Sequence, residues 1–199
     1  MIGIPFRAVA AQTPWRFMFK ALTAVVLVGI AAGIHKEGLV LSLLVIFSGI
    51  TGPALRVMTL KMSGIFDRIR VSPVSRPSAV LVFTGIWSIT VFAALVPAMA
   101  IALYLQGPAL LVPLVTGTVL AVTIGTLAGL EAGSLGDAHL YAILASAPLI
   151  IGTLIPGPQF LLLPYPSMSM NAISLVPTVT QIGFLILMVL ILTGIVSRM

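Results

Sequence analysis

Apolar residues occupy this chain in long runs that are separated by short polar segments. Two of the runs are exceptionally long: residues 77–130 and 138–197 contain no Asp, Glu, Lys or Arg. A helix that crosses a bilayer needs about 20 mostly apolar residues, so each of these runs is long enough for two spans. The pattern predicts an all-α integral membrane protein with six transmembrane helices, at about 17–34, 39–55, 79–105, 109–130, 139–154 and 179–196.

Polar or helix-breaking residues mark the connections between these spans. The sequences HKEG at 35–38 and QGP at 106–108 predict tight external turns, and EAGSLGD at 131–137 predicts an internal turn. Residues 156–178 contain five prolines, which one continuous helix cannot accommodate. We therefore expect a broken or re-entrant external segment before the last span.

The N-terminal residues 1–16 precede the first apolar run with basic and aromatic side chains. Trp15 and Arg16 suit the headgroup depth of a membrane, so we predict an interfacial segment on the inner leaflet. The alternative is a secretory signal peptide whose apolar region is 21–34. The long basic region ahead of that stretch favours the interfacial segment.

Basic residues fall almost entirely on one side of the predicted topology. Cytoplasmic loops of membrane proteins collect Lys and Arg, so this side is assigned to the cytoplasm together with both termini. Lys36 alone falls on the external side. The internal residues are Arg7, Arg16, Lys20, Arg56, Lys61, Arg68, Arg70, Arg76 and Arg198. We predict a single transmembrane domain, 1–199, in the cell (inner or cytoplasmic) membrane.

Composition excludes several classes of protein. The chain is 60% hydrophobic and only 7% charged, which no soluble domain of 199 residues tolerates. It has no cysteine, so disulfides, thiolate metal sites and thiol catalysis are excluded. The net charge of +6 is explained by basic residues facing anionic lipid, and no nucleic-acid partner is expected.

Candidate catalytic groups are scarce. The four acidic residues lie in predicted loops, and the two histidines, His35 and His139, lie on opposite sides of the predicted topology. General acid–base catalysis and proton relays need such groups together or inside a span. We therefore predict that the chain is not an enzyme, and that any transport role draws its energy from a partner.

Two other features have an ordinary interpretation beside a functional one. Met168 and Met170 form a thioether pair that suits Cu(I), but a lone pair is more often membrane-interface filler. Trp87 and Tyr104 could stack on a ligand, whereas Tyr104 and Tyr165 lie where the interfacial aromatic belt is expected. We expect belt residues and no metal site.

The most polar stretch is KMSGIFDRIRVSPVSRPS at 61–78. Ionised side chains cost at least about 2.5 kcal/mol each in the bilayer core, so this segment must lie outside it. Ile65 and Ile69 are four residues apart, and Phe66 adjoins Ile65, which favours a short amphipathic helix that Pro73 ends. The segment predicts a basic cytoplasmic docking surface. The alternative is a solvated loop that only anchors topology.

Within this segment SGIFDRIRVSPVSR resembles a motif of the permease subunits of ABC-2-type transporters. The matching residues are Gly64, Asp67, Ser72, Pro73, Val74 and Arg76. The family's usual Glu ahead of the glycine is replaced here by Lys61 or Met62. The proline-rich segment that ends in LVPTVT is also similar to that family. The runs SLLVIFSGITGPALRV and VTGTVLAVTIGTLAGLEAGSLGDAHLYAILASAPLII look most like the haem-exporter B-type permease of cytochrome c maturation.

The resemblance implies a mechanism and partners. Two permease subunits, identical or related, would face each other, and soluble ATP-binding-cassette ATPase subunits would dock on the 61–78 coupling segment. ATP and Mg would bind the partner, and this chain would bind no cofactor. The implied docking residues are Gly64, Ile65, Phe66, Asp67, Arg68, Arg70, Ser72, Pro73, Val74 and Arg76.

The function expected from this resemblance is an exporter permease for a hydrophobic or amphipathic substrate. Lipids, drugs, hydrophobic peptides and a cofactor all suit the apolar spans. One alternative is a non-transporting scaffold subunit, including one in a cytochrome c maturation assembly, that binds other membrane proteins through Gly/Thr-rich faces. A passive channel is a weaker alternative, because the spans offer few polar residues.

Overall fold

The computed structural model describes residues 14–34, 37–65, 75–107, 111–154 and 175–198. Within these residues all secondary-structure elements are α-helices, which confirms the all-α prediction for this part of the chain. The six helices are α1 (Pro14–Ala32), α2 (Glu37–Met62), α3 (Arg76–Gln106), α4 (Leu111–Glu131), α5 (Leu135–Leu154) and α6 (Leu175–Arg198).

Three helical stretches in the described residues are long and apolar enough to cross a membrane: Leu39–Met62, Pro77–Leu105 and Leu114–Glu131. Shorter apolar stretches are Phe17–Ala32, Leu135–Ile150 and Ile186–Val196. Apolar helices of this length indicate a membrane protein, because few soluble folds can cover so much apolar surface.

Local capping explains where α3 begins and ends. Ser75 is the N-cap, and its Oγ accepts a hydrogen bond from the backbone N–H of Ser78 at 3.4 Å. Pro77 lies in the first turn, where its missing N–H costs nothing. Gly107 follows the last residue with φ of 94°, a value that favours glycine, and its N–H donates to the carbonyl of Leu103 at 2.8 Å. The helix thus ends at the turn predicted for 106–108.

Other helices begin a few residues earlier than the sequence pattern predicted. The first helix begins at Pro14, inside the predicted interfacial segment, and α2 begins at Glu37, inside the predicted turn. Proline is favoured at the first helical position, which explains the start of α1 at Pro14. Residues 1–13 and 35–36 lie outside the described residues.

The starts of α5 and α6 are also earlier than predicted. In α5 the Oγ of Ser134 accepts a hydrogen bond from the backbone N–H of Asp137 at 3.1 Å, which caps the helix at Leu135 rather than at residue 139. The last helix begins at Leu175 and holds Pro177 in its first turn, where proline is tolerated. Residues 175–178 of the predicted external segment are therefore helical, and residues 155–174 lie outside the described residues.

Two helices, α2 and α4, form the centre of the bundle. Helix α2 contacts α1, α3, α4 and α5, and α4 also contacts α3, α5 and α6. The α2–α4 interface is closely packed because its α4 side consists of small residues four positions apart, Ala121, Gly125 and Gly129. A Cβ atom placed on Gly129 would stand 2.5 Å from the carbonyl oxygen of Ala54. The backbones of α2 and α4 are therefore in direct contact.

Threonine side chains of α4 are also buried in this interior, and their hydroxyl groups donate hydrogen bonds within the helix. Thr118 donates to the carbonyl of Leu114 at 2.7 Å, and Thr126 donates to the carbonyl of Val122 at 2.8 Å. Each bond lies within α4 and satisfies a buried polar group. The Gly/Thr-rich face of α4 is thus used inside this chain.

A lysine links the end of α2 to the end of α4. The Nζ atom of Lys61 donates to the carbonyl oxygens of Leu130 at 2.9 Å and Ala132 at 2.8 Å. These carbonyls stand at the C-terminus of α4, where the helix dipole is negative, so the positive charge is favourable there. The contact fixes the last turn of α2 against the α4–α5 junction.

We expect Lys61→Met to lower the free energy of unfolding by about 1–2 kcal/mol, because it removes two hydrogen bonds from a charged donor. Thermal unfolding of the detergent-solubilised protein measures the loss as a lower midpoint. Lys36→Met removes one charge from the predicted external turn and serves as the control. An equal midpoint for both variants would contradict this role of Lys61.

Candidate functional site

A pocket of about 470 Å³ lies between the central turns of α1, α2 and α3. Pocket volumes of 300–1,000 Å³ are typical of small-molecule sites. The residues that line it are Phe19, Lys20, Thr23 and Ala24 of α1, Leu44, Phe47, Ser48, Thr51 and Gly52 of α2, and Trp87, Thr90, Val91, Ala94 and Leu95 of α3.

The pocket has a deep apolar wall and an exposed aromatic rim. Val91 and Leu95 are buried, whereas Phe19 and Phe47 are 71% and 52% exposed. The two phenylalanines therefore belong both to the pocket and to the outer surface of the bundle. A ligand could enter sideways between α1 and α2, without passing through the bundle.

Three of the four hydroxyl groups that line the pocket, all except that of Thr51, donate their hydrogens to their own helices. Thr23 donates to the carbonyl of Phe19 at 2.8 Å, Ser48 to that of Leu44 at 2.5 Å and Thr90 to that of Ile86 at 2.9 Å. Their oxygens keep acceptor capacity, but these three groups do not offer a hydrogen to a ligand in this arrangement.

Trp87 is the exceptional polar group of the pocket. It is only 4% exposed and stacks on Phe83 with ring centroids 5.9 Å apart. Its Nε1 donor is buried and has no hydrogen-bond partner among the described residues. A buried donor left unpaired costs about 1–3 kcal/mol, so it needs a physical explanation.

A glycine makes room for this indole. A Cβ atom placed on Gly52 would stand 3.4 Å from Nε1 and from Cζ2 of Trp87. The Nε1 atom therefore faces the backbone of α2 at the same point where both residues line the pocket. Nε1 is buried at this contact with α2 and is not exposed to the pocket.

The predicted docking residues lie only partly within the described structure. Gly64 and Ile65 follow the end of α2, and Gly64 has φ of 69°, a left-handed value that favours glycine and ends the helix. Its N–H donates to the carbonyl of Lys61 at 3.1 Å. Arg76 is the first residue of α3. The remaining residues, Phe66, Asp67, Arg68, Arg70, Ser72, Pro73 and Val74, lie outside the described residues.

Segment 61–78 connects two helices that line the pocket. It joins the end of α2 to the start of α3 along the chain, and these helices form two of the three pocket walls. Because helices are stiff, a displacement of the segment would move both walls. Gly64 and Ile65, the predicted docking residues whose side chains the structure describes, do not line the pocket.

Sequence reasoning missed the pocket and underrated Trp87. Tyr104 is 89% exposed near the end of α3, as a belt residue would be, but Trp87 is buried in the middle of the helix. The available signal was position, because Trp87 falls well inside an apolar run and not at its border. Met168 and Met170 lie outside the described residues.

Comparison of the chain with protein-family models, with curated proteins and with solved structures finds no match in any of the three.

Proposed function

We propose that this chain is the transmembrane permease subunit of an ATP-binding-cassette transporter. It exports a hydrophobic or amphipathic substrate, pairs with a second permease subunit, and takes its energy from a soluble ATPase that binds ATP and Mg. All six helices cross the cell membrane, both termini face the cytoplasm, and residues 156–178 include an external re-entrant segment. The chain itself catalyses no reaction.

The observation that carries this proposal is the connection between the basic segment and the pocket. The segment 61–78 begins in the last turns of α2 and ends in the first turn of α3, and both helices line the pocket. An ATPase that docks on the segment would therefore act on two pocket walls at once. A polar docking surface and an apolar pocket joined by stiff helices support conversion of an ATPase motion into substrate movement.

The chemistry of the pocket supports a substrate that dissolves in the membrane. Its deep wall is apolar and its rim is aromatic. A strongly hydrated substrate such as a glycan would lose its water there without enough hydrogen-bond partners in return.

The scaffold alternative is less well supported by the packing. It relied on Gly/Thr-rich faces as binding surfaces for other membrane proteins. The face of α4 that carries Gly125 and Gly129 is already buried against α2. A scaffold would have to use other surfaces, and it gives no reason for the pocket.

Identification of the co-purifying chains tests the proposal. The tagged protein is extracted from its native membrane in mild detergent, with and without a trapped nucleotide, and all bound chains are identified by mass spectrometry. We expect a soluble ATPase in the preparation. A haem-handling membrane protein beside it would select the cytochrome c maturation variant. Recovery of other membrane subunits alone, even with trapped nucleotide, would overturn the permease proposal in favour of a scaffold.

A further inference from the structure

We propose that Lys61 transmits motion of segment 61–78 to the α4–α5 junction, residues 131–135. It does so by tying the end of α2 to that junction, so that the two move together. The tie belongs to this chain alone. The source of the motion, an ATPase docked on the segment, rests on the proposed function.

The ammonium group of Lys61 supplies donors that the end of α4 lacks. Carbonyls at the C-terminal end of an α-helix have no backbone N–H of that helix to bond. The Nζ atom donates to two such carbonyls, those of Leu130 at 2.9 Å and Ala132 at 2.8 Å. Both acceptor residues are buried. Hydrogen bonds that are shielded from water are electrostatically stronger, so this contact is a firm attachment.

Apolar contacts reinforce the attachment one turn earlier in α2. Met58 forms a small buried cluster with Ala132 and Ala138, and Leu55 packs against it. Ala138 belongs to α5, so the cluster joins α2 to both sides of the junction. Met58 and Lys61 are one helical turn apart. Attachment at two successive turns resists rotation of the helix end as well as its separation from α4.

The chain leaves α2 immediately after Lys61. Gly64 has φ of 69°, and its N–H donates to the carbonyl of Lys61 at 3.1 Å. The N–H of Ser63 donates to the carbonyl of Thr59 at 3.0 Å. These bonds close the backbone between the helix and the rest of the segment. A displacement of the segment therefore reaches Lys61 within one turn.

The tie adds a second route from the segment into the bundle. The lining residues of the pocket all belong to α1, α2 and α3. Through α2 and α3 the segment acts on the pocket walls, and through Lys61 it also acts on α4 and α5. Lys61 is therefore a positioning residue and not a docking residue, because its charge is used inside the chain.

Paired spin labels test the tie in the chain alone. The chain has no cysteine, so Ser63→Cys and His139→Cys, both at exposed positions, introduce the only labelling sites. Electron–electron double resonance in detergent then measures the distance distribution between the end of α2 and the start of α5. We expect a narrow distribution with Lys61 and a wider one with Lys61→Met.

Two further variants at this position keep the test decisive. Lys61→Arg retains the charge and several N–H donors, so we expect the narrow distribution to return. Lys61→Gln keeps an amide donor without the charge and replaces Lys61→Met if that variant does not fold. A distribution as narrow without the charged donor as with it would overturn the proposal.

Titration with the co-purifying ATPase separates transmission from docking. The ATPase is held constant and the reconstituted chain is increased. The half-saturating amount of chain reports docking, and the maximal stimulation of ATP hydrolysis reports transmission. We expect Lys61→Met to lower the maximum about three- to tenfold and to leave the half-saturating amount unchanged. Lys61→Arg should restore the maximum.

Arg68→Met is the matched comparison on the predicted docking surface. It should raise the half-saturating amount of chain, because it removes a charge that faces the partner. A loss of folded chain would also raise the apparent half-saturating amount and would leave the maximum in place. A lower maximum in Lys61→Met is therefore not explained by reduced stability.

Failure of the proposed function is distinguishable from failure of this inference. A chain that recovers no ATPase would refute the proposed function, and with it the source of the motion, while the distance distributions would still uphold or refute the tie. An ATPase partner with full maximal stimulation by Lys61→Met would keep the proposed function and refute transmission through Lys61.

Discussion

Replacement of Gly125 by leucine is expected to lower the free energy of unfolding by about 3 kcal/mol, at the upper end of the range for overpacked cores. A Cβ atom at this position would stand 2.8 Å from the Cα atom of Ile50 on α2 and would also meet the carbonyl oxygen of Ile50. These are backbone atoms, which cannot rotate aside as a flexible side chain can. The two central helices would have to separate, and the contacts of α4 with its other neighbours would be lost with them.

Unfolding of the purified protein in mixed micelles of mild and denaturing detergent measures the effect, as the shift of the midpoint. Gly85→Leu is the matched control, because its Cβ would have open space within 4 Å and the position is exposed. Gly125→Ala should give a smaller loss than Gly125→Leu. If Gly125→Leu and Gly85→Leu unfolded at the same midpoint, the close contact of α2 and α4 would not contribute to the stability of the protein.

Exchange of the charges at Asp67 and Arg68, by Asp67→Arg with Arg68→Asp, is expected to reduce transport-coupled ATPase activity about tenfold or more. The expectation belongs to the proposed function, in which these residues lie on the docking surface. Charges that match a partner become like-charge contacts after the exchange, and such contacts cost several kcal/mol at an interface. The net charge of the segment is unchanged, so the orientation of the chain in the membrane is kept.

The measurement uses the chain reconstituted with the ATPase that co-purifies with it, and compares ATP hydrolysis with and without this chain. The matched control exchanges the adjacent opposite charges of the predicted external turn, Lys36→Glu with Glu37→Lys. Equal amounts of both variants in the membrane are required for the comparison. If the Asp67 and Arg68 variant stimulated ATP hydrolysis as the wild type does, the docking role would be wrong. The segment would then only anchor the topology of the chain.

Much of the fold could be predicted because charge is excluded from apolar environments. Each long uncharged run corresponds to one or two helices, and the turn at 106–108 was located by Gly107, whose positive φ ends α3. Helix starts were less accurate. Polarity marks where a chain meets water, but a cap such as Ser134 begins the helix before the polar residues end.

The pocket could not be predicted, because it is made by three helices whose mutual rotation the sequence does not encode in any simple pattern. All faces of α3 are apolar, so its sequence does not show which residues face α2. Trp87 faces α2, whereas Ile89 is 70% exposed and faces outward. Only contact with Gly52 distinguishes these positions.

The sequence by itself determined the helical class, the apolar runs and the polar segment at 61–78, because each follows from the cost of placing a charge in an apolar helix. The tertiary structure decided which small residues became an interface and which aromatic residue became part of a pocket. Gly125 and Gly85 are both glycines in apolar helices, yet one touches a neighbouring backbone and the other has open space. That difference arises from the packing of distant helices, where close contact between backbones requires a glycine at one specific point.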